Sequence, residues 1–594
     1  MSMKEINCLS SINGSRLKRV GRLVAGLSLS AAFLFTMSGI AGAQNSIPNA
    51  SSGNHTIRFD AAIPEAPGEL ALFKLSPAAP PTAVVNQALS SQGNGAKLAP
   101  ISSLALFSGK SSQGMNGVLG VDEGNHLKAV VDLNSGDAGI YPSLGKLGPM
   151  SPASLPALVE EAQQVFSSGF ITADDTRFEI DQPVLLNGAT MVRDEDGSTR
   201  QEKATAPYLA YFVAHRFVGN LPVDGPGSRA VLALSGSGSI EGLTRSWKTA
   251  RQIGTVQTSG LDVRSQIANQ MNYALKNSDV VIESVELAYY DGNQQLLQPV
   301  YRFTARIVNG AKSDASSSDD RVIGYVAFGQ TDEALPVQGV VNGDTPKAPA
   351  QNGLLEAQSG SQAPGWISVG RYVVRNDNSG WVNNANAFWS NLSSAGYGYA
   401  FSNSQYYWAY PFEFTSSKNY YANAVNLNLT EAHGDWWYFT TYQNWGDGVN
   451  INGDIPYPGY GPAAGGSLAD WIIHSCEVVP TPSDTSAWAN PWWTIFGGMR
   501  NVVGYRTIMY INDGAGGPYG WSLGWGAPVV SSWLQDVITL GAYSGHPYAY
   551  AHGGVWRPMG RPSAISMCGH ENDSAFATSY NGRAYCLNVY WYGD

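Results

Sequence analysis

His433 and Cys476 are the two residues of this chain whose types and spacing fit covalent chemistry, and 43 residues separate them. A thiol at its ordinary pKa of about 8.5 is only slightly ionised at neutral pH, so a nucleophilic cysteine needs a neighbouring base. An imidazole meets that need. It takes the thiol proton as sulfur attacks an acyl carbon, then returns it to the leaving amine.

The elements around the pair are those that would position it. Residues 424–432 read as a strand ending at His433-Gly434-Asp435, and residues 469–475, with Trp471, Ile472 and Ile473, read as a strand ending at Cys476. In open α/β sheets function collects at the carboxyl edge of the strands. The intervening stretch is long enough for a crossover that returns the second strand parallel to the first. Imidazole and thiol would then face each other.

These two segments resemble the caspase, legumain, clostripain and gingipain peptidases. Their pattern is an apolar strand ending in His-Gly and a later apolar strand ending in a small residue and Cys. Here it stands as Leu429-Thr430-Glu431-Ala432-His433-Gly434 and Trp471-Ile472-Ile473-His474-Ser475-Cys476. A third block, Trp493 to Arg506 with Gly497-Gly498-Met499-Arg500, looks like the helix and strand after the nucleophile in gingipain-like domains. The first strand departs from the pattern in being more polar, through Asn426, Asn428 and Glu431. The resemblance covers residues 366–541 or so. It implies an α/β domain with a mostly parallel sheet flanked by helices, hydrolysis of peptide bonds in a protein or peptide substrate, and an oxyanion hole from the backbone N–H groups of Gly434 and Cys476. It also implies a specificity pocket lined by charged groups, for which Glu477, Asp484, Arg500 and Arg506 are the candidates.

Other residues compete for these roles. His474 lies on the same strand as Cys476 and reads as structural. His552, His570 and Glu571 follow Cys476 in the order of papain-like enzymes, but nothing around the cysteine resembles those enzymes. No metal is expected: the histidines are scattered, with no His-Glu-x-x-His and no Cys-x-x-Cys. Asp447, Asp454 and Asp513 sit in Gly-rich loops, as turn residues or as ligands of a structural calcium. Trp436, Trp437, Tyr438, Tyr442 and Trp445 crowd the segment after His433, as core or as a substrate cleft or sugar platform. They support a second class of function, a carbohydrate- or peptide-binding module on an inactive peptidase fold.

The rest of the chain sets the context. Basic residues up to Arg22, an apolar run from Leu23 to Ile40 and Ala41-Gly42-Ala43 read as a signal peptide cleaved after Ala43, which makes the mature protein secreted or extracytoplasmic and leaves no membrane anchor. Cys8 leaves with it. Of the remaining cysteines, Cys568 and Cys586 lie 18 apart and are the natural disulfide, because a short loop closes at little entropic cost. Cys476 is left over, either buried and inert or kept for its reactivity. A net charge of −11 without Lys/Arg clusters after the leader excludes a nucleic-acid surface.

Composition divides the chain. Residues 44–150 are rich in Ala, Ser, Gly and Pro, with a fold the pattern does not specify. Residues 151–336 read as α+β, with helical spacing from Ser154 to Ser168 and strand-like alternation at 208–217, 229–234 and 300–308. Paired runs in residues 225–247 around a Ser-Gly-Ser-Gly turn look somewhat like the propeptides of secreted thermolysin-like peptidases. Residues 337–365 have linker composition. Beyond them fall 16 of the 17 tryptophans and a single lysine, Lys418, which marks a further domain over 366–594. The expectation is a secreted cysteine peptidase made as a zymogen, its pro-region removed by cleavage in the linker.

Overall fold

The computed structural model describes residues 56–593, apart from 94–95, 108–114, 152–153, 275–278, 309–319, 330, 332, 334, 337–342, 350–365, 375–378, 397–399, 443, 539–548, 553–554 and 578–579. The expected signal peptide lies outside the described residues, as does the expected linker apart from residues 343–349. No helix among the described residues is long and apolar enough to cross a membrane.

The protein is a sheet-rich α/β structure with a large mixed sheet and few helices. Seven strands of its C-terminal part are β1 (Ile367–Val373), β2 (Phe401–Trp408), β3 (Leu427–Glu431), β4 (Asp470–His474), β5 (Asn501–Tyr505), β6 (Pro562–Met567) and β7 (Cys586–Tyr592). They stand in the order β2-β1-β3-β4-β5-β6-β7. The first five are mutually parallel, and β6 and β7 run antiparallel to their neighbours. Every residue of β3, β4 and β5 is buried, as expected where a parallel sheet is covered on both faces.

Three helices, α1 (Ser379–Ser394), α2 (Gly516–Gly524) and α3 (Val529–Val537), pack beside this sheet. Helix α2 contains Gly516, Gly520 and Gly524 at helical spacing. A Cβ at Gly516 would lie 2.5 Å from the Asn384 carbonyl oxygen and one at Gly524 2.7 Å from that of Leu392, with Gly520 as tight against Phe388. The glycine stripe is what lets α2 lie backbone to backbone against α1. Trp381, Trp471, Trp492, Trp533 and Trp591 fill the core, each ring removing about 150–250 Å² from water.

The N-terminal part is α+β. Its helical spacing becomes a helix over Leu155–Val165 that buries Leu158, Ala162 and Val165. The alternating runs become the strands Thr199–Val218, Ser228–Leu234 and Leu296–Val308. Ser228–Leu234 pairs antiparallel with Ile240–Trp247 across the Ser-Gly turn. The Leu70 to Leu75 and Gly117 to Val121 patches fall in the strands Glu69–Ser76 and Val118–Glu123.

Strand pairing crosses the composition change near residue 365. Strand β7 pairs antiparallel with Val184–Arg193, so the sheet runs on into the N-terminal part. Strand Asp320–Ala327 pairs in parallel with Tyr510–Ile511. Residues 50–594 form one compact unit. Cys568 and Cys586 are joined in a disulfide that ties the turn after β6 to the start of β7.

Candidate functional site

Strands β3 and β4 are parallel neighbours whose register pairs Leu427 with Asp470 and Glu431 with His474. That offset, 43 residues, is also the spacing of His433 and Cys476. Both residues lie two positions past the last registered pair, His433 after Glu431 and Cys476 after His474. The Ala432 N–H donates to the His474 carbonyl at 3.3 Å, closing the Glu431–His474 pair at the end of the ladder.

Beyond β3 the chain enters a three-stranded antiparallel flap of residues 434–435, 438–441 and 444–450. Thr440 pins the histidine backbone: its N–H donates to the His433 carbonyl at 2.9 Å, and its hydroxyl oxygen accepts from His433 N–H at 3.2 Å. A Cβ on Gly434 would lie 2.6 Å from the Cys476 carbonyl oxygen and nearer still to Ser475 Oγ. Gly434 thus lets the histidine loop lie directly on the cysteine loop. Glu477, the next residue, is buried with φ of 54°, in the left-handed region that side chains other than glycine rarely adopt.

Both candidate side chains are enclosed. Cys476 is 0% exposed and His433 3%. The sulfur lies 3.9 Å from the Met509 carbonyl oxygen, one residue before the segment that accepts Asp320–Ala327 as a neighbouring strand. The Trp381 ring meets His433 edge-on at 5.3 Å and His474 at 6.1 Å.

A second constellation lies one step down the same strands. His474 Nδ1 is 2.7 Å from Glu431 Oε2, and its Nε2 is 3.3 Å from both oxygens of Asp513. Asn384 Nδ2 donates to Glu431 Oε1 at 2.7 Å, and Tyr505 OH donates to Asp513 Oδ2 at 2.8 Å. Burial alone would push the imidazole pKa down, but the carboxylates of Glu431 and Asp513 hold it up at about 10. Burial raises the Glu431 carboxyl, with His474 pulling against it. His474 is therefore a buried imidazolium between two acids. The structural reading of His474 agrees with this, but its partners went unrecognised. Glu431 carried a usable signal, as the one carboxylate in a strand whose residues are all buried; Asp513 sits 39 residues from His474 and carried none.

The remaining candidates take other places. Arg500 bonds Asp470 at 2.7 Å and Asp573 at 3.3 Å; Arg506 bonds Asp484 at 2.7 Å and the Tyr592 carbonyl. Arg500, Arg506 and the Asp484 carboxylate are wholly buried, so these three are internal struts rather than the wall of an open pocket. His570 pairs with Asp573 at 2.7 Å. Asp454 accepts the Asn450 N–H at 2.7 Å, closing a turn. Of the aromatic row, Trp437 packs on the core and Tyr442 stacks on Tyr410 at 4.7 Å, while the Trp445 side chain lies outside the described residues.

Asp513 also lines a cleft of about 280 Å³ between α1, α2 and the N-terminal strands.

Residues 366–564 match DUF6345, a domain of unknown function. The match begins one residue before β1 and ends inside β6, so it takes in both constellations. Among solved structures, an uncharacterized protein from Eubacterium rectale is 12% identical, with 46% of this chain and 86% of that one covered and a TM-score of 0.25. No curated protein matches the chain.

Proposed function

We propose that this is an exported cysteine peptidase of the caspase and gingipain type, held in a latent state, with Cys476 as nucleophile and His433 as its base. The observation that carries the reading is the register of β3 and β4, whose offset equals the spacing of the two residues. The strand order, with His433 and Cys476 at the carboxyl ends of neighbouring parallel strands, supports it. The Cys568–Cys586 disulfide supports an oxidising compartment. The oxyanion would be held by the N–H groups of Gly434 and Cys476.

Latency accounts for the burial of the pair. Residues 44–345 act as the pro-region. Its strand Asp320–Ala327 lies on Tyr510–Ile511, beside the carbonyl that meets the thiol, and activation follows cleavage between 337 and 365 and displacement of that strand. The enclosed thiol equally suits the second reading, a non-catalytic module that binds peptide or carbohydrate.

Alkylation of Cys476, followed by mass spectrometry on the full chain before and after limited proteolysis, separates the two. A peptidase labels slowly when intact and fast after cleavage, well below the ordinary thiol pKa, and His433→Ala abolishes the fast phase. Slow labelling indifferent to His433 in the cleaved, still folded protein removes the peptidase assignment.

A further inference from the structure

The floor of the cleft between the N-terminal strands and helices α1 and α2 is built from two charged side chains that are not paired with each other. Arg245 is 1% exposed, on the strand Ile240–Trp247, opposite Ala138 in register. Its Nη atoms donate to the carbonyls of Ala79 and Gly136 and to the Thr172 hydroxyl. Its Nε is buried and, among the described residues, has no hydrogen-bond partner. Asp137, next to Ala138, also lines the cleft; its Oδ1 is buried with no close hydrogen bond among the described residues, and the Ser135 and Ser246 hydroxyls beside the carboxylate stabilise its charge. Tyr290, Trp521 and the exposed Asn293 also line the cleft.

A buried guanidinium donor left unsatisfied beside a buried carboxylate held only by neutral hydroxyls is costly unless something fills the cleft. We propose that the cleft binds a small zwitterion, a free α-amino acid with an apolar or aromatic side chain. Its carboxylate meets Arg245 Nε, its ammonium meets Asp137, and its side chain lies against Tyr290 and Trp521. The cavity is of the size and mixed lining of a small-ligand site between packed layers. Burial pushes Arg245 down to about 10, against the pull of Asp137, as expected of a guanidinium without a bonded anion. Burial raises the Asp137 carboxyl, and an ammonium beside it would restore the ionised form. The site is independent of the peptidase reading.

Equilibrium dialysis of the full chain with L-phenylalanine, 3-phenylpropionate and phenethylamine tests it. Phenylalanine binds saturably, and each analogue, lacking one charge, binds about tenfold or more weakly, the loss expected for one charge-assisted hydrogen bond. Arg245→Gln weakens phenylalanine to a similar degree and leaves phenethylamine unchanged; Asp137→Asn does the converse with 3-phenylpropionate. Should the Arg245 variant fail to melt cooperatively, the analogue comparison on the unaltered protein decides alone. The proposal is overturned if neither phenylalanine nor any other common α-amino acid binds at millimolar concentration, if the analogues bind as well as phenylalanine, or if a folded Arg245→Gln binds undiminished.

Discussion

Glu431 and His474 stand directly opposite each other on neighbouring parallel strands, carboxylate to imidazole at 2.7 Å, with the residues that sequence reasoning singled out two positions further along each strand. The acid and imidazole form a buried layer two positions before His433 and Cys476 in sequence. Trp381, in ring contact with both histidines, joins the two layers.

Removing His474 leaves Glu431 and Asp513 buried without their cation. His474→Ala is expected to cost about 3–5 kcal/mol in urea unfolding, the usual result of breaking a buried ion pair from one side. Adding Glu431→Gln and Asp513→Asn recovers part of that loss. A single variant as stable as the wild type would show that the layer holds no charge.

The same layer sets a pH dependence. The His474 pKa is raised from 6.5 to about 10, so its contribution is fully present below 6.5 and is lost as pH rises through about 10. The stability gap between wild type and His474→Gln should therefore narrow over that window. A gap that stays constant from pH 6.5 to 10 contradicts the assignment.

Gly434→Ala forces a methyl group into Ser475 Oγ and the Cys476 carbonyl. The loops must part, with an expected cost of about 1–3 kcal/mol, the usual penalty for overpacking. Pairing it with Ser475→Gly should restore part of the stability, since one of the two collisions disappears. Thermal melts of the single and double variants measure this.

Gly520→Ala tests the helix contact in the same way. The added methyl meets the Phe388 carbonyl, and a loss of about 1–3 kcal/mol is expected where a surface helix would gain from the same change. A neutral or stabilising outcome would mean that α1 and α2 part easily.

Cys568→Ser with Cys586→Ser removes a cross-link closing 18 residues of sequence, for an expected loss of about 3 kcal/mol in chain-entropy terms. An unchanged melt in the double variant would place the bond outside the fold's stability.

Residues whose partners lie close in sequence, or whose pattern repeats along a strand, were legible. The apolar run at Trp471 to Ile473 announces a strand, the Ser154 to Ser168 spacing announces a helix, and Cys568 and Cys586, close in sequence, announce their own bond. The parallel relation of β3 and β4 followed from crossover length. What was not legible depends on tertiary approach. Nothing near Asp513 points to His474, and Arg500 and Arg506 read as candidates for a specificity pocket until Asp470 and Asp484 are seen beside them. Likewise, the face that Gly516, Gly520 and Gly524 present to α1 depends on the approach of a second helix.

The pairing of β7 with Val184–Arg193 joins residues such as Thr190 and Asn588, whose side chains meet at 2.6 Å across 398 positions of sequence. Strand β7 is thus the seam that joins the C-terminal strands to a sheet begun far upstream. Any chain cut short before it, whether by a stop codon or by proteolysis, presents an open hydrogen-bonding edge at Val184–Arg193. Such an edge is a template for pairing with other chains. Loss of the final ten or so residues should therefore show itself first as aggregation and slow folding, given how late so distant a contact forms.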